Sequence, residues 1–365
     1  MTTQERLNLI KQVGEEIISE EELKKLLESG EQLIAYDGFE PSGQMHIAQG
    51  LLRTININKM VKAGIKFKML VADWHAWANN KMGGDLGKIQ TIGKYFIETW
   101  KACGMDLNNV EFVWASHVVR DDKYWKLVLQ IARTNTLRRF VRTAEIMGRE
   151  ESMNLTAAQI IYPCMQAADI FTLGAKITEL GMDQRKVNML AREVGPILGF
   201  WKPIVVSHHM LMGLQQNKME EDGKSKIEKT IEMKMSKSKP DSAIFMTDSE
   251  EDIKRKINKA YCPEGETVDN PVLEYYKYII FESLDRLRME QVIIDRSEKF
   301  GGPIILNSYE NLEKMFSGKQ IHPQDLKLTL ANLLNKLVEP VRKHFEQDLL
   351  ARPLLEKVKS YQVTR

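Results

Sequence analysis

Apolar positions recur at helical spacing near the start of the chain. Leu7, Ile10, Val13 and Ile17 line one face, and Ser19 followed by Glu22 forms a capping box for a second helix through Leu23, Leu26 and Leu27, stopped at Gly30. The period then changes. An apolar run ends at Tyr36, glycines and a proline interrupt it, and Ile47, Leu51, Ile55 and Met60 resume a near-helical spacing. That pattern predicts strand, turn and helix. Residues 66–73 read as a strand that becomes fully buried toward its end, 86–103 as an amphipathic helix and 110–115 as a third strand. The chain turns helical and locally basic from 123, with Arg133, Arg138, Arg139 and Arg142 close together. A helix over about 156–171, a glycine turn at Gly181 into a further helix, and a strand at 203–206 follow.

Strands alternating with helices of a dozen or more residues imply right-handed crossovers, hence an α/β fold with a parallel sheet covered on both faces. Ligands of such sheets sit at the carboxyl ends of the strands, where the strand order reverses. Tyr36 and Asp73 fall on that edge. Beyond a boundary near 240–248 the pattern is mostly helical, with a helix opened by Asp248, Glu250, Glu251 and Asp252 and others near 272–287, 308–316 and 323–345. This predicts two units, 1–243 and 244–365, the second packing independently of the sheet.

The 365 residues are enough for two cores, and 43% hydrophobic with 28% charged residues is the balance of an ordinary globular protein. A formal net charge of +2 excludes a general cationic field, so a nucleic-acid partner would be met by local patches. Cys103, Cys164 and Cys262 are too scattered for a disulfide framework or a zinc site, and no metal site is expected. With no apolar signal core and no membrane-length apolar run, the reading is cytoplasmic.

Candidate chemistry begins at the turn 36–50. Glycine permits close backbone approach, and a helix mouth offers N–H groups to phosphate, so the turn suits a nucleotide, although a plain tight connection has the same pattern. On the helix over 156–171, Tyr162, Gln166 and Asp169 stand at i, i+4 and i+7 and share one face. A tyrosine, an amide and a carboxylate there are costly for a plain core. Asp73 either caps the next helix or contacts a ligand, and Gln184 and Arg185 either cap a helix or line a site. The pair His208-His209 reads as a turn. A lysine- and glutamate-rich loop at 215–232 precedes Lys234-Met235-Ser236-Lys237-Ser238, whose ammonium groups suit a polyphosphate.

The run from Pro41 to Gln49 resembles the first signature region of class I aminoacyl-tRNA synthetases, and Lys234 to Ser238 matches their second motif letter for letter. Tyr36, the run from Tyr162 to Asp169, and Gly181-Met182-Asp183-Gln184-Arg185-Lys186 look like tyrosyl-tRNA synthetases of the archaeal and eukaryotic kind. Two departures stand out: Ala48 and Gln49 replace the glycine and second histidine of the first motif, and 215–232 is an insertion.

The resemblance implies a Rossmann-like catalytic domain followed by an anticodon-binding helical domain, in a homodimer paired through the sheet. Its partners are L-tyrosine, ATP with Mg²⁺ and tRNA(Tyr), with neither DNA nor a membrane involved. Tyr36 and Asp169 would hold the substrate phenol, and Tyr162, Gln166 and Gln184 its amino group. His46, Gln49, Lys234 and Lys237 would be catalytic, and Gly38, Pro41, Ser42, Gly43, His46, Gln49, Met235, Ser236 and Ser238 would contact ATP. Arg142 and Arg185 match positions near the tRNA acceptor end. Phe300, His322 and Asp325 match anticodon readers, with a core phenylalanine as the plain alternative for Phe300. Competing readings are a tryptophanyl-tRNA synthetase, disfavoured by Tyr36 with Asp169, and a non-enzymatic RNA-binding protein on a retired synthetase scaffold.

Overall fold

The computed structural model describes residues 1–143, 155–215, 233–235 and 240–361. Six strands form the main sheet: β1 Gly14–Ile18, β2 Ile34–Phe39, β3 Lys66–Val71, β4 Val110–Trp114, β5 Ile177–Gly181 and β6 Ile204–His208, in the order β1-β6-β5-β2-β3-β4. All neighbours are parallel except β1 with β6. The chain runs outward from β2 through β3 to β4, then returns to the other side of β2 for β5 and β6. The strand order therefore reverses between β2 and β5, where Tyr36 pairs with Thr178.

Alternate residues of each strand enter different cores. Ala35, Phe67, Met69, Ile177 and Val206 join one, while Tyr36, Leu70 and Leu180 join the other. The second core is closed by the helices Asp122–Arg133, Ala157–Thr172 and Arg185–Ile197. The first is closed by Thr3–Lys11, Arg53–Lys62 and Leu86–Ala102, together with the C-terminal helices.

Three expectations fail. Val13 and Ile17 do not extend the first helix: it ends at Lys11, and β1 pairs Ile17 with Val206. Gly14 breaks the helix, and the β-branched pair Ile17-Ile18 favours the strand. Ser19 does cap the helix Glu20–Glu28, accepting from Glu22 N at 3.2 Å, but the Glu22 carboxylate is taken by Arg192 and Lys202 instead of closing a box. The C-terminal helices, Glu250–Lys259, Pro271–Tyr275, Leu284–Leu287, Tyr309–Ser317, Pro323–Gln347 and Ala351–Ser360, do not pack independently of the sheet. Their apolar faces share its first core, with the rings of Tyr95 and Phe345 5.1 Å apart. A two-stranded hairpin, β7 Val292–Ile294 with β8 Ile304–Leu306, was not foreseen, because three-residue strands are too short to show a period.

His209, just past β6, joins the sheet to the C-terminal helices. Its Nδ1 lies 3.1 Å from Glu15, its Nε2 meets Glu274, and its ring stacks on Tyr278 with centroids 4.2 Å apart. Burial opposes charging, yet the two carboxylates win and raise the imidazole to about 9. A folded pKa above the unfolded one contributes stability that is complete below about pH 6.5 and is lost as pH rises through about 9. His209→Gln should be less stable than the parent chain by about 2 kcal/mol near pH 6, the deficit closing by about pH 10 in chemical denaturation. A deficit constant across that range would show that the imidazole charge is not what stabilises the contact.

Candidate active site

The crevice between the ends of β2 and β5 collects side chains from five elements. Tyr36 comes from the middle of β2, where its ring is 1% exposed. Burial, then the carboxylates of Asp169 and Asp37, push its phenol well above the usual range, against a hydrogen bond with Gln166 that pulls it down. The helix Ala157–Thr172 is started by Thr156, whose hydroxyl accepts from Gln159 N in a complete capping box. Its spacing sends Tyr162, Gln166 and Asp169 into the crevice, all buried. Gln166 Nε2 donates to Gln184 Oε1 at 3.0 Å, so the amide from this helix meets the one that follows β5.

Asp169 is held from two further directions. Tyr124, on Asp122–Arg133, donates its phenol to Asp169 Oδ1 at 2.9 Å, and His75 Nε2 lies 2.9 Å from Oδ2. Burial favours a neutral imidazole, but Asp169 outweighs it and raises the His75 pKa. Two carboxylate oxygens carry about four acceptor directions, so a phenol from outside still finds one. Tyr162 packs edge-on to His75 with centroids 5.3 Å apart, and burial with the neighbouring Glu40 raises its phenol pKa. Glu40 accepts from Asn79 Nδ2 at 3.0 and 3.1 Å.

Sequence reasoning gave no role to Tyr124, Glu40, Asn79 or His75. Tyr124 sits on an apolar helical face and reads as core. His75, two residues past Asp73 at the functional end of β3, carried the one usable signal. Asp73 itself does not cap: Ala72 occupies the cap position of Asp73–Ala78, and the Asp73 carboxylate accepts from Ser116 N at 2.9 Å and Gln90 Nε2 at 3.0 Å.

Beneath the crevice runs a buried ionic network. Arg53 Nε donates to Asp37 at 2.9 Å, Arg53 Nη1 to Glu179 Oε1 at 2.7 Å, and His208 Nδ1 lies 3.2 Å from the same glutamate oxygen. Burial raises Asp37 despite Arg53, whereas Glu179, equally enclosed, is held below its ordinary value because Arg53 and His208 outweigh burial. His208 therefore lies on β6 and in this network, not in a turn. Asp183 is the next carboxylate, kept low against burial by Lys234 and His208. Lys234 Nζ donates to it at 2.8 Å.

The turn after β2 packs against residues 244–246, which follow the second signature region. Gly43 takes φ +100°, a left-handed conformation that glycine adopts without strain. His46 is buried and bridges to Phe245, Ile47 N donates to Ile244 O at 2.9 Å, and Met246 N to Met45 O at 2.9 Å. At Gly50 a Cβ would stand 2.5 Å from the Met246 sulfur, so any larger residue would force the Met246 side chain to move. The helix opens with a π turn, Ala48–Leu52. Its mouth is not the open set of donors expected for phosphate: Ile47 N goes to Ile244 O, and Gln49 N and Gly50 N go to His46 O. The Gln49 amide oxygen is buried with no hydrogen-bond partner among the described residues, and Trp100 Nε1 donates to the Gln49 carbonyl at 2.8 Å. Met235 is buried. Ser236, Lys237, Ser238 and all of the 215–232 loop except Gln215 lie outside the described residues.

The remaining candidates fall in two places. Arg142 ends the helix Leu137–Thr143, and its carbonyl accepts from Lys186 Nζ at 3.5 Å; the adjacent Arg185 is paired with Glu16 at 2.9 Å. Phe300 is 66% exposed at the tip between β7 and β8, which rules out a core phenylalanine. Arg296 ties that tip to the next helix mouth, donating to Gly302 O at 3.0 Å and to Gln320 O at 3.3 Å. His322 caps Pro323–Gln347 through Nδ1, which accepts from Gln324 N at 3.1 Å, and Asp325 stands one turn on.

The profile of the class I tRNA synthetases (W and Y) matches residues 28–233 and 227–339. The cytoplasmic tyrosine–tRNA ligase 1 of Arabidopsis thaliana is 51% identical over 365 residues, covering 99% of this chain and 90% of the relative. The tyrosyl-tRNA synthetase of Pyrococcus horikoshii, solved with L-tyrosine, superposes with a TM-score of 0.90 at 39% identity, over 99% of this chain and 100% of the other. The Leishmania major enzyme with tyrosinol gives a TM-score of 0.87 at 44% identity, over 99% of this chain but 53% of that one, so the chain spans about half its length. A parallel sheet with its crevice at the β2/β5 reversal, the two signature regions and these likenesses agree: the chain belongs to the tyrosine–tRNA ligases, within the class I tRNA synthetase family.

Proposed function

We infer that this chain joins L-tyrosine to ATP, giving tyrosyl-adenylate and pyrophosphate, and then transfers tyrosine to the terminal ribose of tRNA(Tyr). The observation that carries the reading is the Asp169 carboxylate, buried at the strand-order reversal between Tyr124 and His75. With Tyr36 it offers the substrate phenol an acceptor, and Tyr162, Gln166 and Gln184 supply oxygens for its ammonium group. An indole donates at a different reach, which argues against tryptophan.

Adenylation asks for in-line positioning and charge stabilisation and needs no protein nucleophile. His46 and Lys234, with Lys237, are assigned to the charge that develops on the phosphates. Gly38, Pro41, Ser42, Gly43, Gln49, Met235, Ser236 and Ser238 would line the nucleotide. Gln49 acts through its amide, and its unpartnered oxygen is the feature that invites a ligand donor. Among the described residues no three His, Cys, Asp or Glu side chains are grouped for a metal, so Mg²⁺ would be held chiefly by the phosphates, neutralising the leaving pyrophosphate.

For tRNA, Arg142 and Arg185 are assigned to the acceptor end, Arg185 after release from Glu16. Phe300, His322 and Asp325 are assigned to the anticodon: an exposed ring to stack on a base, beside polar groups for its edge. The division at 243/244 remains our reading of the catalytic and anticodon-binding parts. Pairing of two copies through the sheet part is our reading of the assembly; among the described residues β1 and β4 each end the sheet with one edge unpaired by a strand. A cytoplasmic place fits three free, buried cysteines and the fact that no described helix is long and apolar enough to cross a membrane.

The test is exchange of labelled pyrophosphate into ATP with each amino acid in turn. Tyrosine should support exchange at least about a hundredfold better than tryptophan. Exchange with tryptophan alone would move the chain to the sister specificity, and tRNA binding without any exchange would make it a retired scaffold.

A further inference from the structure

Residues 211–214 run as a short extended segment with a different neighbour on each side. On one side stands the strap that carries Lys234: Met235 N donates to Leu211 O at 2.8 Å, Gly213 N donates to Met233 O at 2.8 Å, and Met212 and Lys234 form an antiparallel bridge. In such a pair the backbone groups of the bridged residue itself point the other way. There a third strand would be expected, and two side chains of Pro271–Tyr275 take its place. Glu274 Oε2 accepts from Met212 N at 2.9 Å, and Tyr275 donates its phenol to Met212 O at 2.8 Å.

Both clamping residues are themselves fixed. Tyr275 is fully buried, the other Glu274 oxygen meets His209, and Asn270 caps the helix by accepting from Val272 N and Leu273 N. Tyr276, next in line, donates to Leu326 O at 2.9 Å, so the same segment is tied to the helix whose mouth carries His322 and Asp325. A buried donor and a buried acceptor bound to the C=O and N–H of one residue, on the edge away from the strap, fix its height and tilt. Through the bridge they fix the Lys234 backbone as well.

We propose that Glu274 and Tyr275 are positioning residues for Lys234: from the C-terminal helices they hold Met212, and through it the strap, at the register from which the Lys234 ammonium reaches the nucleotide. This rests on the assignment of Lys234 to the ATP phosphates. Neither residue touches substrate. Their loss leaves the lysine present but no longer aimed, while the groups around Asp169 are untouched.

The experiment compares Tyr275→Phe, Glu274→Ala and Glu274→Gln with the parent chain, and repeats Tyr275→Phe on a Lys234→Ala background. Pyrophosphate exchange is measured against ATP and against tyrosine, tyrosine affinity is measured by calorimetry without ATP, and the melting temperature is recorded. Tyr275→Phe removes one oxygen and keeps the ring, so folding is preserved. It and Glu274→Ala should lower kcat/KM for ATP about tenfold and leave tyrosine affinity within about twofold, while Glu274→Gln, which keeps an acceptor for Met212 N, recovers most of the loss. On the Lys234→Ala background Tyr275→Phe should cost nothing more, because the group it aims is gone. An equal loss on both backgrounds, a fall in tyrosine affinity of the same size, or no loss at all in Tyr275→Phe while Lys234→Ala is crippled would overturn the proposal alone. An undiminished ATP step in Lys234→Ala would overturn the role of Lys234 and the proposal with it.

Discussion

Asp169→Asn should lower kcat/KM for tyrosine in pyrophosphate exchange by about 150-fold, about 3 kcal/mol, and leave the weak exchange with phenylalanine within about threefold. The asymmetry follows from what each ring asks of the site. A phenol entering beside Tyr36 donates to a buried carboxylate, and an amide accepts that proton with less than half the electrostatic advantage. Phenylalanine donates nothing, so it has nothing to lose. The fold tolerates the change, since the amide oxygen still accepts from the Tyr124 phenol that now bonds Asp169 Oδ1 at 2.9 Å. His75 changes more: without the carboxylate 2.9 Å away, burial is opposed by Glu40 and Asp73 alone, and the balance moves toward the neutral ring. The two amino acids should be compared in parallel. A Tyr/Phe ratio unmoved by the substitution would remove Asp169 from the recognition of substrate.

How much of this site could be read in advance depends on how many elements each part needs. Tyr162, Gln166 and Asp169 lie on one helix, so their spacing alone placed them on a common face. Tyr36 is on a strand that the apolar run revealed, although β2 continues past the end of that run to Phe39. His75 and Tyr124 reach Asp169 from the ends of two other elements, 94 and 45 residues away in the chain; the place of His75 just past β3 was the one local signal, and Tyr124 reads as a core tyrosine. Arg53 is a stronger case. In the sequence it is a charged residue within a helical pattern, where the default is a solvated face, yet it is 1% exposed between Asp37 and Glu179. Only the strand order, which sets β5 against β2, puts two carboxylates where they can hold it. The apolar face of Leu86–Ala102 was legible, but not its use: Tyr95 meets Phe345 and Glu98 meets His344, which is why the C-terminal helices do not stand apart from the sheet.

Lys234→Ala should reduce the rate of tyrosyl-adenylate formation by about 10²–10³ and leave tyrosine affinity within about twofold. Its ammonium carries the one ion pair recorded for it among the described residues, to Asp183 at 2.8 Å, and the adjacent Gln184 is bonded to Gln166 without its help. The pocket proposed for the amino acid is therefore expected to keep its shape without it. Asp183 is held low by Lys234 and His208, and its carboxylate parks the lysine. A triphosphate offers the same cation several oxygens and a larger charge, and the pull grows as the bond to the leaving pyrophosphate lengthens. An interaction that strengthens along the reaction lowers the barrier, whereas one equally strong before and after would alter only binding. A lysine is suited to the transfer from Asp183 to phosphate because its charge is compact and its stem flexible. Single-turnover adenylation, followed beside tyrosine titration without ATP, separates the two. Parallel losses in rate and in tyrosine affinity would place Lys234 in the amino-acid pocket and take it out of the chemistry.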